Sequence, residues 1–144
     1  MARALAWFEE LPPTELRSHR ARAFYYAERW SDADTLFEAL SAEFPDSLDF
    51  RGQRGVALVH MGRDEEALEI SRWLEARNGR YLLGAHTKWR AAIAAALGDR
   101  AEAVRLLEQA FQEGMRLGHF HRREQEWDVL EDYRPYQDFL RPRG

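Results

Sequence analysis

The chain has 144 residues, room for one domain with a continuous core and too little for two of ordinary size. A formal net charge of -4 leaves no basic footprint for nucleic acid, and the absence of cysteine excludes disulfides, thiol nucleophiles and cysteine zinc sites. With 45% hydrophobic and 32% charged residues the composition is that of a soluble, helix-rich chain, so a cytoplasmic protein with no membrane contact is expected. The opening apolar stretch is too short for a signal peptide, is interrupted by Glu9 and Glu10, and is read as an N-terminal cap or the remnant of a preceding helix.

Pro12-Pro13-Thr14 starts the first clear helix, from Glu15 to about Arg29, with Thr14 as cap and Leu16, Ala23, Phe24 and Ala27 as core positions. Ser31-Asp32 is expected to cap a second helix carrying Leu36, Phe37 and Leu40, and Pro45 ends that pair. Asp46-Ser47 opens the next, whose first helix holds Gly55, Val56, Leu58 and Val59 and closes at Met61-Gly62. Its partner runs from about Asp64 to Arg77 with Ala67, Leu68, Ile70, Trp73 and Leu74, and Asn78-Gly79 is a turn signal. A third pair spans about Arg80 to Leu97 and Arg100 to Leu117, broken at Gly98-Asp99, with Ala103, Val104, Leu107, Ala110 and Phe111 at helical spacing. Beyond Gly118 two short helices are predicted, near Glu124–Glu131 and Pro135–Leu140. No segment alternates like a strand, so the fold class is all-α.

The pairs repeat. Ala33 and Ala67 lie 34 residues apart at equivalent places, and Ala103 follows 36 residues later. A period in this range means helix pairs stacked into a solenoid. A frame from Thr14 aligns Ala21, Phe24, Ala33, Phe37, Leu40 and Pro45. One from Leu48 aligns Gly55, Leu58, Gly62, Ala67 and Leu74, with Ser71 in place of an aromatic. A third, from Gly84, aligns Ala91, Ala94, Gly98, Ala103, Leu107 and Ala110. Small residues at these places let paired helices touch, and larger ones fill the next interface.

On these residues the chain resembles a tetratricopeptide repeat protein over about Thr14 to Leu117. The phrase from Trp127 to Leu130, followed by Arg134-Pro135-Tyr136 and Phe139-Leu140, is similar to the closing segment of bacterial members. The resemblance implies a right-handed helical solenoid of about three pairs (14–47, 48–81 and 84–117) with a capping segment over 118–144, all within one domain. It also implies that first-helix side chains line a concave groove: Ser18, Arg22, Tyr25 and Tyr26; Asp49, Val56, Val59 and His60; then Lys88, Ala92 and Ala96, with Trp89 alongside. A groove around Arg22, Tyr25, Tyr26, Val56, Val59, His60, Lys88 and Trp89 would bind a peptide or amphipathic helix. The opposing expectation is that some of these side chains pack against the chain's own tail.

Chemistry is not favoured. His119-Phe120-His121 alternates as metal ligands do, with Glu124 or Glu126 to add oxygen, yet a hinge between helices explains it as well. No serine has a nucleophile-elbow setting and no glycine-rich phosphate loop occurs. Glu65-Glu66 and Glu124/Glu126 are expected on solvent faces. The reading is a non-catalytic scaffold with no cofactor or metal and a protein or peptide partner. The alternative is a self-associating assembly module, a homo-oligomer whose groove stays unused, in contact through the N-terminal helix or through the aromatic tail, Phe120, Trp127, Tyr133, Tyr136 and Phe139.

Overall fold

The computed structural model describes residues 13–78, 81–116 and 124–141. Six helices stack as three antiparallel pairs: α1 (Pro13–Tyr26) with α2 (Trp30–Glu43), α3 (Leu48–His60) with α4 (Asp64–Glu75), and α5 (Ala85–Ala96) with α6 (Arg100–Gln112). A 3-10 helix (Gln125–Leu130) then lies on α5, and α7 (Arg134–Leu140) lies on α6. The described residues contain no strand, and the architecture is an all-α helical-repeat solenoid.

The period has a backbone cause. Each pair turns through one residue in the left-handed conformation: Glu28 (φ 61°), Gly62 (φ 78°) and Gly98 (φ 85°). The next amide reaches back over the turn, Arg29 N to Phe24 O at 2.9 Å, Arg63 N to Leu58 O at 2.9 Å and Asp99 N to Ala94 O at 3.0 Å. This closure satisfies helix-end carbonyls and fixes the direction of the second helix. The second and third pairs use glycine at the left-handed residue, whereas the first uses Glu28, where a Cβ is strained.

Small residues then set how close the helices come. Ala33, Ala67 and Ala103 are completely buried, as are Ala21 and Ala91. The tightest approach is at Gly52 on α3, where an added Cβ would lie 2.2 Å from Cγ of Trp89 on α5. Gly55, one turn on, faces Ile93 in the same way. Between the first two pairs, buried Asp34 on α2 accepts from Arg54 Nε at 2.9 Å and meets Arg63 Nη1 at 3.5 Å. A buried carboxylate is tolerable because both oxygens are paired.

Several boundaries differ from the sequence expectation. Thr14 lies inside α1, and α2 starts at Trp30, so Ser31 and Asp32 sit within its first turn; Asp32 instead pairs with Arg29 at 2.7 Å. Ser47 does cap α3, accepting from Phe50 N at 3.4 Å, and Asp99 caps α6 through Glu102 N at 3.2 Å. On α1 the core face is Ala21 and Tyr25; Ala23 and Ala27 are exposed, and Leu16 and Phe24 only half-buried. The core stripe of α1 runs through Ala21 and Tyr25, one turn apart, because the Tyr25 ring packs inward on Trp30 and Phe37. Leu68 on α4 is likewise exposed, not core. The third pair begins later than Arg80, since Leu83 (φ 49°) and Gly84 (φ 79°) are both left-handed and cannot lie in a helix. The first tail helix is a 3-10 turn. The expected features at Met1 to Leu11, Gly79, Arg80, Leu117, Gly118 and His119 to His121 fall outside the described residues.

Gly52→Ala tests the packing. Alanine favours a helix over glycine by about 1 kcal/mol. The clash with Trp89 should outweigh this and leave a net loss of about 2 kcal/mol, in line with overpacked cores. Urea unfolding measures it; an unchanged or higher midpoint would contradict the packing described.

Candidate functional site

A cleft of about 230 Å³ opens along the side of the array formed by the first helices. Tyr25, Val56, His60, Ala92, Ala95 and Ala96 line it from α1, α3 and α5, joined by Glu28 from the first turn and Trp30 from the start of α2. The remaining wall is Gln125, Glu126, Asp128 and Val129. The chain's own tail thus forms part of the groove.

The groove residues expected from the sequence take different positions. Tyr25 is buried (1% exposed) among Tyr26, Trp30 and Phe37, whose rings meet it edge-on at 5.3, 5.3 and 6.2 Å. Tyr26 stands 53% exposed beside half-buried Arg22. Val56 is buried in the cleft wall, while Val59 is half-buried and not part of the lining. His60 stacks flat on Trp30 at 4.1 Å, and this cover lowers its pKa. Trp89 is buried on Gly52, donating from Nε1 to Asp49 Oδ1 at 2.9 Å, and is a packing residue. Lys88 places its ammonium 5.2 Å from the Trp89 ring and 3.5 Å from Glu124 Oε2. Ser18 bonds Glu15 O within its own helix.

Glu124 and Glu126 were expected on a solvent face, and they are instead the tail's contacts with the groove. Tyr25 Oη donates to Glu126 Oε1 at 2.7 Å, joining residues at opposite ends of the array. Glu124 Oε2 takes the indole N–H of Trp127 at 3.0 Å as well as Lys88. In a 3-10 turn residues three apart lie one above the other, which brings Glu124 over Trp127. Gln125 Nε2 reaches Glu28 Oε1 at 3.3 Å, the residue held in the left-handed turn. Sequence reasoning missed Trp30 and Glu28. For Glu28 a signal existed, because it occupies the turn position that is Gly62 and Gly98 in the other pairs.

Electrostatics make this contact uneven. Glu126 Oε2 is sealed from water with no hydrogen-bond partner among the described residues, and burial raises the pKa of its carboxyl despite the bond from Tyr25. Burial, followed by the charge of Glu126, holds the Tyr25 phenol well above its ordinary value. Behind the contact, Trp127, Leu130, Tyr136 and Phe139 are all buried, and burial pushes Tyr136 up to about 12. Arg100 covers Tyr133 at 4.7 Å. Among the described residues no group of three or more His, Cys, Asp or Glu is placed to hold a metal ion, and no helix is long and apolar enough to cross a membrane. His119 and His121 lie outside them. Of the other carboxylate pair, Glu65 is exposed and Glu66 meets Arg63 at 2.7 Å.

The raised carboxyl has a sign. A docked Glu126 binds its proton more tightly than an undocked one, so docking is favoured in acid and that share is lost as pH rises through the raised value. His60 works oppositely, its lowered pKa favouring the stacked state above its ordinary value. Tyr25, Tyr26, Arg22, Glu28, Lys88 and Glu124 also face the site, so a comparison with Glu126→Gln isolates the one carboxyl. Amides 124–130 should exchange several-fold more slowly in Glu126→Gln than in the parent at neutral pH, with the gap closing on acidification. Tyr25→Phe, which leaves both oxygens of Glu126 unpaired, should speed exchange. Hydrogen-exchange mass spectrometry reads both, and a gap that widens in acid would contradict the assignment.

Residues 19–47, from the middle of α1 through α2 to the cap of α3, match the family model described as tetratricopeptide repeat. No curated protein and no solved structure matches the chain significantly. The matched segment is the first of the three pairs, and its turn closure and buried small residues recur in the other two. The chain is therefore a helical-repeat solenoid whose first pair matches the tetratricopeptide repeat.

Proposed function

We propose that this chain is a non-catalytic scaffold that binds a peptide or a short helix of another protein in the groove lined by α1, α3 and α5. The tetratricopeptide repeat is a protein–protein interaction module and its family consists largely of scaffolds, so the coarse function follows from the repeat. The observation that carries the finer reading is the cleft itself. Its floor is the apolar Val56, Ala92 and Ala96, and its rim carries the Trp30–His60 stack. Next to it stands exposed Tyr26. An apolar floor with aromatic and polar edges suits a side chain inserted from a partner.

Self-association through the tail finds less support. Of the tail aromatics that a second copy would grip, Trp127, Tyr136 and Phe139 are already buried within one chain and Tyr133 is half-buried under Arg100.

The test is selection of binders from a random peptide library, followed by affinity measurement on the parent and on Tyr26→Ala/His60→Ala. Tyr25 is left intact because it belongs to the core. Selected peptides should lose about 2 kcal/mol, roughly 30-fold in Kd, if these aromatics are anchors. Helicity should not change. Peptides that bind both proteins equally would place the interaction elsewhere.

A further inference from the structure

We infer that the partner's docking segment is acidic and carries an indole, and that it takes the place of residues 124–130, which serve as an internal, displaceable occupant of the groove. The inference rests on the reading of the cleft as a protein-binding surface and adds the chemistry of what it binds.

The chain supplies a template. Residues 124–130 present two carboxylates two positions apart, one on the Tyr25 hydroxyl and one on the Lys88 ammonium, with the Trp127 indole buried behind them. The two carboxylates are the groups that α1 and α5 accept, and the indole is buried where the segment packs on α5. Arg22, half-buried beside exposed Tyr26, has no ion pair among the described residues, so a further acidic group on an incoming segment would find a cation waiting.

The template fits imperfectly. Glu126 Oε2 is sealed with no donor among the described residues, and a buried carboxylate lacking one of its bonds weakens the contact it belongs to. Gln125 is held by Glu28 through one exposed side-chain bond of 3.3 Å, which adds little to the hold on the segment. The cleft stays open beside the tail, and Val129 on its wall is 45% exposed. A permanent cap would fill that space and pair that oxygen. An occupant that must leave has reason to do neither, because each shortfall lowers the affinity an incoming segment must exceed.

The probe is a fluorescent peptide copying residues 124–140, titrated into the full-length parent, Trp127→Ala and Glu126→Gln. Trp127→Ala removes the buried anchor of the internal segment and leaves the groove intact. It should bind the peptide about tenfold more tightly than the parent, the gain expected when a site occupied nine-tenths of the time is freed. Glu126→Gln strengthens the internal contact and should bind it more weakly. Should Trp127→Ala lose its helical circular dichroism, Glu124→Gln/Gln125→Ala, which alters only polar contacts at the groove, replaces it with the same expectation. Equal affinity across the folded variants, or no binding to any, overturns the inference. It also falls if the parent is a dimer that the peptide dissolves, since the occupant is then a second copy. Library peptides that still depend on Tyr26 and His60 in those cases leave the groove reading standing. Their independence of these residues would fail the groove reading itself.

Discussion

The approach of α3 to α5 at Gly52 is the constraint on which the groove depends. Trp89 lies where any larger residue would put its Cβ, so this one position sets the spacing of the second and third pairs. Trp89 in turn fixes its neighbour: Lys88 is held over the indole edge and directed at Glu124. Moving α5 outward would part Lys88 from the tail and open the apolar floor made by Ala92 and Ala96. A packing choice in the core thereby decides where a charge stands in the groove.

The tail answers that charge and adds a conflict of its own. Burying Trp127, Leu130, Tyr136 and Phe139 gains apolar stabilisation on the order of 2 kcal/mol for each large side chain. The same docking draws the Glu126 carboxylate from water with one oxygen unpaired. Apolar burial holds the segment while the carboxylate works against it at neutral pH. Trp127, Leu130, Tyr136 and Phe139 belong to the same continuous core as the stacked pairs, so the opposing carboxylate acts at the edge of that core, on the segment that carries it.

Much of the fold was legible in the sequence. The spacing of Ala33, Ala67 and Ala103 follows from the turn closures at Glu28, Gly62 and Gly98, and all three alanines lie where paired helices touch. Small side chains are visible in a sequence because few other residues satisfy that geometry. The candidate site was less legible. Tyr25 and Trp89 read as contact residues for a partner, yet both are buried, since an aromatic on a first helix serves the core or the groove according to a rotation of a few tens of degrees. Glu124 and Glu126 read as solvent-facing because nothing local reveals a hydroxyl 101 residues away. Glu28 was the exception. A charged residue at a turn that twice calls for glycine is a signal that sequence alone carries.

On the proposed reading, one groove serves the tail and a partner in turn. The most direct measurement is nuclear magnetic resonance of uniformly 15N-labelled protein titrated with a library-selected peptide, following the backbone amides of Gln125 to Leu130. The account predicts that these signals leave their folded positions for those of a mobile chain while α1, α3 and α5 shift and stay ordered. Saturation of α1 and α3 with the tail signals unmoved would contradict it.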